Sequence, residues 1–200
     1  MTNLSGFRLG TVQKALTALS NEGYVVRKHG HGTFISEMGN RLHDPLHLRF
    51  LGDDGKSFLP IYTSVLSVDR VDDSGPWSDF FGGETKEFVR IRRLIDVGRE
   101  FRCLNQFYGA ASLFERFARE KNLDGLNLKK FIASHVGIET NSAANLVRAG
   151  PLSGDAIDLL GLKTGAVGLI LEFYGQSVRG KRIYYQITEI PPSDRRFFAG

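Results

Sequence analysis

Arg90, Arg92 and Arg93 crowd into the segment "EFVRIRRLIDV" (87–97). A guanidinium presents a rigid fork of N–H donors suited to bidentate capture of a carboxylate or phosphate. The segment alternates like a strand, so Phe88, Arg90, Arg92 and Leu94 share one face while Val89, Ile91, Arg93 and Ile95 share the other. Arg93 therefore interrupts an aliphatic face and must be paired, snorkelling or turned toward a ligand. At least one of the three is expected to meet an anionic small molecule. The competing reading is plain ion pairing with Glu87, Asp96 or Glu100.

A second set of polar groups sits near the start of the chain, on "TVQKALTALSNE" (11–22). Val12, Ala15, Leu16 and Leu19 follow helical spacing, which leaves Thr11, Gln13, Lys14 and Thr17 on other faces. Such a face suits the major groove of DNA: short polar side chains reach phosphates, and glutamine pairs bidentately with adenine. The segment "YVVRKHGHGTFI" that follows reads as a β-hairpin with Gly30 and Gly32 at its tip. A tip without side chains approaches a sugar-phosphate backbone closely, with Lys28, His29 and His31 supplying charge or donors. An ordinary surface helix and hairpin is an equal reading of the spacing alone.

Other constellations carry less. His43 and His47 stand four apart, but Pro45 lies between them and no third ligand is near, so no metal is expected. Cys103 has no neighbouring base and falls in a strand, which fits a buried thiol rather than a nucleophile. Asp53-Asp54 and Asp72-Asp73 read as acids of solvent loops. No phosphate-binding loop, dinucleotide glycine pattern or Ser-His-Asp order stands out, so no cofactor is expected.

The elements that must position these groups fall into two blocks. Residues 1–41 hold five basic and two acidic residues, three of the four net positive charges in the 200-residue chain. A polyanion would meet the chain there. "SEMGNRLHDPLH" mixes charges with Gly and Pro breaks and reads as a linker. Beyond it, strands interleave with helices. Strands are expected at 61–71, 87–97, 101–109, 139–151, 167–178 and 181–192. Helices are expected at "ASLFERFAREKN", "LNLKKFIASHVGI" and "SGDAIDLLGL", the last with Ser153 or Asp155 as its N-cap and Gly161 near its end. "DSGPWSDFFGGE" reads as a loop with one helical turn. A single cysteine, no signal-like start and no long apolar run point to a cytoplasmic protein without a membrane span.

The string "GTVQKALTALSNEGYVVRKHGHGTFI" (10–35) resembles the recognition helix and wing of the winged helix-turn-helix domain in GntR-family transcription regulators. The matching pieces are the Thr-Val-x-x-Ala-Leu start at 11–16, the Glu-Gly helix end at 22–23 and the Gly-x-Gly-Thr-Phe return at 30–34. The resemblance implies DNA contacts from Arg8, Thr11, Gln13 and Lys14 on the helix and from His31 and Gly32 on the wing. The family sets two helices ahead of this one, and ten residues precede Thr11 here, so a partial winged helix is expected.

The remainder resembles the UTRA effector-binding domain of the HutC branch of that family. The resemblance rests on "EFVRIRRLIDVGREFRCLNQFYGAASLFERF", "GDAIDLLGLKTGAVGLILEFYG" and "RIYYQITEIPPSDRRFF". It implies an α+β chain: a partial winged helix-turn-helix, then a chorismate-lyase-like antiparallel-sheet effector domain that forms a homodimer. The expected boundaries are 1–37 for the DNA-binding module, 38–49 for the linker and 50–200 for the effector domain. Asn105 stands where many relatives carry a ligand-binding glutamate. With Arg90, Arg92, Arg93, Tyr108, Tyr174 and Tyr185 it makes up the expected effector site, although aromatics on strands are more often core.

The expected function is a DNA-binding transcription regulator controlled by a small anionic effector, with operator DNA and a second copy as partners. The rival readings are an effector-binding and dimerisation module that does not hold DNA by itself, and, by shared fold alone, a chorismate-lyase-like enzyme. The favoured reading is not an enzyme.

Overall fold

The computed structural model describes residues 9–21, 25–28, 32–35, 48–83, 85–119, 123–125 and 127–198. The chain divides into two compact units, Met1–Arg41 and Leu42–Gly200. In the first, helix α1 (Leu9–Asn21) precedes strands β1 (Val25–Lys28) and β2 (Gly32–Ile35). The strands pair antiparallel, from Val25↔Ile35 to Lys28↔Gly32. On α1, Val12 and Leu16 are half-buried, whereas Thr11, Gln13, Lys14 and Ala15 are exposed. Arg8 and His31, both expected to touch DNA, lie outside the described residues.

The second unit is built on one six-stranded antiparallel sheet in the order β3-β4-β5-β8-β7-β6. Its strands are β3 (Ile61–Val71), β4 (Phe88–Val97), β5 (Phe101–Ala110), β6 (Thr140–Pro151), β7 (Val167–Ser177) and β8 (Arg182–Ile190). Between them lie the short helices α2 (Pro76–Phe81), α3 (Ala111–Phe114), α4 (Leu128–Phe131) and α5 (Gly154–Leu160). β4 turns into β5 through Gly98 and Arg99, both at positive φ, with the Glu100 N–H donating to the Val97 carbonyl. That is the mirror-image two-residue turn whose twist matches paired strands. Arg99 holds this unusual conformation with its guanidinium 4.1 Å above the Tyr62 ring.

Two expected helices are shorter than their sequence pattern. After Phe114 the chain tightens into a 3-10 turn over Glu115–Arg119, and after Phe131 it widens into a π turn over Ile132–Val136. The tightening has a packing reason. Residues three apart eclipse in a 3-10 helix, so Phe114 and Phe117 both reach Phe107, with ring centroids at 5.2 and 6.4 Å.

Register sorts the sheet into two faces. On one, Val89, Ile91 and Phe107 pack with α3, α4 and Tyr184, while Ile95, Cys103, Leu171, Phe173 and Ile190 pack with Leu48, Phe50 and Ile61. Leu48, expected at the end of the linker, is thus part of this core. The Cys103 thiol is fully buried, and burial beside Asp96 pushes its pKa well up, so it is an inert core residue. Between the two apolar clusters runs a polar row across three strands. Arg93 pairs in register with Asn105, which pairs in register with Thr188. Arg93 donates from Nε and Nη2 to Asn105 Oδ1 at 3.0 and 2.7 Å. Asn105 Nδ2 in turn donates to Thr188 Oγ1 at 2.8 Å. Arg93 is only 4% exposed, and burial lowers its pKa to about 10, which leaves it charged at neutral pH.

The sheet's two edges differ. On β3, the Val65 N–H donates to Asp124 Oδ1 and the Gly125 N–H donates to the Thr63 carbonyl, so a loop occupies that edge at Thr63 and Val65. β6 is the opposite edge, and its residues 145–149 are exposed.

The polar row predicts the outcome of removing its central amide. Asn105→Leu takes the acceptor from two buried guanidinium N–H groups and should cost about 3 kcal/mol of stability in urea denaturation. A loss below about 1 kcal/mol would show that Asn105 does not hold Arg93 in place.

Candidate functional site

The opposite face of the sheet carries Arg90 and Arg92 on β4, Gln106 and Tyr108 on β5, Tyr185, Ile187 and Glu189 on β8, Ile170, Glu172 and Tyr174 on β7 and Arg148 on β6, as the strand register requires. Two helices cover it incompletely. Near one end, α2 packs Phe81 against Phe88, Phe80 against Tyr174 and Trp77 against Tyr108. Toward the other, α5 seals Leu104, Leu152 and Ile170 with Ala156. A cleft of about 270 Å³ remains, with Trp77 and Tyr108 along one wall, Leu152 and Ser153 along another, and Ile170 and Ile187 in the lining.

Trp77 and Tyr108 form the flattest contact in this region: centroids 3.9 Å apart, planes 6° from parallel. The indole lies folded over Gly75, where an added Cβ would come within 2.5 Å of the ring. Any larger residue at 75 would lift the ring. The Trp77 Nε1–H donates to the Asp73 carbonyl at 3.3 Å. Burial pushes the Tyr108 phenol up to about 12 and keeps it a donor, and its hydroxyl donates to Gln106 Oε1 at 3.1 Å.

The far wall is set by α5. Ser153 is its N-cap, accepting from the Ala156 N–H at 3.2 Å, and Gly161 ends it in the left-handed conformation. That favours Ser153 over Asp155 as the cap. Glu189, 4% exposed, accepts from the Ser153 N–H at 2.6 Å and from its hydroxyl at 2.8 Å. Nearby, Glu172 accepts the hydroxyls of Tyr185 at 2.8 Å and Tyr174 at 3.1 Å. Burial, then these bonds to the carboxylate, raise both phenol pKa values and keep both tyrosines protonated.

The cleft face also gathers charge. Arg92 meets Asp155 at 2.7 Å, Arg90 meets Asp69 at 3.4 Å, and Arg148 stands 3.7 Å from Glu172. The Nε atoms of Arg90 and Arg92 are buried without a hydrogen-bond partner. Each is an unsatisfied donor on this face of the sheet, but of the expected effector residues it is Tyr108 and Tyr185 that line the cleft itself.

Of the residues expected to bind an effector, Arg90, Arg92, Tyr108, Tyr174 and Tyr185 share this face. Arg93 and Asn105 do not: they bond to each other inside the opposite core, and the residue turned toward α5 is Leu104. The strand period of two decides this, because neighbours in sequence point to opposite sides. Sequence reasoning missed Trp77, Gln106, Arg148, Ser153 and Glu189 as cleft lining. Gln106 and Glu189 were within reach of the same alternation, two and four residues from Tyr108 and Tyr185. Trp77 and Ser153 come from connections whose position follows only from the fold. Among the described residues no group of three or more His, Cys, Asp or Glu side chains could hold a metal.

Comparison with known proteins adds the fold. No family model matches the sequence, and no curated protein does. Solved structures do. A GntR-family transcriptional regulator from Enterococcus faecalis is 16% identical, with TM-score 0.59, over 69% of this chain and 99% of that one. PhnF from Mycobacterium smegmatis is 16% identical, with TM-score 0.59, over 91% of this chain and 80% of that one. The effector domain of PhnF alone is 12% identical, with TM-score 0.55, over 66% of this chain and 80% of that one. At these identities the likeness establishes a shared fold.

The Ser153–Glu189 junction yields a test of how the far wall is held. Ser153→Ala removes a helix cap and one of two donors to a buried carboxylate, so it should cost about 2 kcal/mol. Thermal unfolding of the variant beside wild type reads this directly. An unchanged melting temperature would show that α5 is held by its apolar face alone.

Proposed function

We propose that this chain is a one-component transcription regulator of the GntR family, HutC branch, in which the six-stranded domain senses a small anionic effector and the N-terminal module reads operator DNA. The observation that carries this reading is the cleft: it lies on the sheet of a fold shared with regulator effector domains, under two short helices, with the Arg148 guanidinium in its lining. The module boundaries are 1–37, 38–49 and 50–200. The regulator is a homodimer, cytoplasmic and not an enzyme. No helix among the described residues is long and apolar enough to cross a membrane.

DNA contact falls to Thr11, Gln13 and Lys14, which α1 holds exposed on the side away from Val12 and Leu16. By the same reading Arg8 flanks the helix, and His31 and Gly32 belong to the wing. Effector contact falls to Arg90, Arg92, Tyr108, Tyr174 and Tyr185. Control is reciprocal: an effector that favours one arrangement of the two modules weakens DNA binding by the factor by which DNA weakens effector binding.

The test is fluorescence anisotropy on DNA from the neighbourhood of the protein's own gene, at several salt concentrations. Lys14→Ala should weaken binding uniformly across sequences and lower the salt slope by about one. Gln13→Ala should cost about 1–3 kcal/mol on the operator and little on unrelated DNA. Two variants that bind like wild type would overturn the assignment of α1 as the reading helix. Failure of the wild-type chain to bind any such DNA, while it still binds small molecules, would favour the effector-binding module without DNA contact.

A further inference from the structure

The segment that follows β8 is held by four consecutive side chains, each with its own receiver. Pro191 and Pro192 come first, and their fixed φ leaves no soft joint at the end of the strand. The chain then turns, with the Arg195 N–H donating to Ser193 Oγ at 3.1 Å. The Arg195 guanidinium donates from Nε and Nη2 to both carboxylate oxygens of Glu100, at 2.6 and 2.7 Å, and from Nη1 to Asp53. The Arg196 guanidinium lies over Gly55, where an added Cβ would come within 2.6 Å of Nη2. Phe197 packs on the buried Phe50 with ring centroids 5.3 Å apart, and Phe198 on Phe58 at 5.5 Å.

What these side chains hold is the strip by which the chain enters the six-stranded unit. The Leu51 N–H donates to the Arg196 carbonyl at 3.0 Å, and the Phe198 N–H donates to the Arg49 carbonyl at 2.9 Å. Between them Phe50 and Phe197 form an antiparallel bridge. On its other side the same strip bridges Leu51 to Phe58, and the Leu59 N–H donates to the Phe50 carbonyl. Residues 49–51 are thus the middle of three strips, and segment 193–198 is one of their two flanks. They lie where the expected linker, 38–49, runs into this unit.

The two parts of this grip respond differently to salt. Ring packing on Phe50 is indifferent to it. The Arg195 pairs are not, because Asp53 is 91% exposed and Glu100 36%, and charges in contact with water are screened. A two-pronged arginine bond with a third prong on a second carboxylate is nevertheless the geometry in which an exposed pair contributes.

We infer that segment 193–198 is a salt-sensitive latch on the linker, closed by Arg195 on Glu100 and Asp53, which fastens the entry strip 49–51 to the end of β8. Opening the latch bares one whole side of that strip, and release of its three residues adds about 10 Å to the reach of the linker. β8 also lines the cleft through Tyr185 and Ile187, so the latch sets the linker one stiff step from that strand. The inference goes beyond the proposed function and does not depend on what the cleft or the N-terminal module binds.

The experiment treats the full chain with trypsin at low and high sodium chloride and follows the initial rate of cleavage after Arg49 by mass spectrometry. Rates are normalised to a short arginyl peptide. Hydrogen exchange of the Leu51 and Phe198 amides is read alongside. In wild type, cleavage after Arg49 should be slow at low salt and rise several-fold at high salt. Arg195→Ala should raise cleavage and the exchange of both amides by about tenfold at low salt and remove most of the salt dependence. Exchange in the central strand β5 should stay as in wild type, which marks the opening as local and the fold as intact. Arg195→Glu should be the most labile variant, and adding Glu100→Arg to it should restore slow cleavage. An Arg195→Ala variant that is cleaved and exchanges like wild type would overturn the inference. So would Leu51 and Phe198 amides that respond to the substitution separately, or a rise in β5 exchange equal to that at Leu51. None of these readouts uses DNA or an effector, so they decide the latch independently of the regulator.

Discussion

The guanidinium of Arg93 is the constraint around which the sheet is organised. A charge buried between two apolar clusters is tolerated only where its donors are met, and Asn105 meets two of them from the neighbouring strand. Asn105 in turn reaches Thr188 one strand further on. Three central strands are thereby fixed in one register. A slip of one residue would place Arg92 in the core and Arg93 on the open face, and would break the Arg93–Asn105 bonds. The polar row therefore also decides which arginines of β4 share the sheet face that holds the cleft, although it lies on the other side of the sheet.

The two faces are finished differently. The face with Arg93 is closed by α3, α4, the turns that follow them and the segment around Leu48–Phe50. The other is closed only at its ends, by α2 through aromatic stacking and by α5 through aliphatic packing. Neither helix exceeds seven residues, so neither is stable by itself. Each is held by specific contacts: Gly75 lets the Trp77 ring lie flat, and Glu189 fixes the start of α5. The cleft is the part of the sheet that these short helices do not reach.

Much of this was legible beforehand. Strand alternation in 87–97 and 101–109, the Gly-Arg turn between them, the Ser153 cap and the closing hairpin all follow from period and turn chemistry. Alternation also separated Arg93 from Arg90 and Arg92. Grouping all three as effector ligands set that separation aside in favour of their shared chemistry. Asn105 lies on the buried face for the same reason, one residue from Leu104 and Gln106 on the other side of the strand. Trp77 and Arg148 were beyond reach, since no local pattern announces that a short helix after β3 and the far edge strand close on the same space. The helix directly after β5 gives way to a 3-10 turn through aromatic packing, which propensity does not register.

The unequal edges of the sheet bear on how copies of this molecule can associate. Asp124 and Gly125 bond to the outer rim of β3 at Thr63 and Val65, so a further strand cannot be laid against that stretch. Among the described residues, the exposed stretch 145–149 leaves the rim of β6 open. Fibre growth by strand addition requires two receptive rims on every molecule, one to join and one to be joined. With a single receptive rim, two molecules meeting there would consume each other's only site. A loop bonded across part of one rim thus works against open-ended growth through the exposed strand on the opposite side of the sheet.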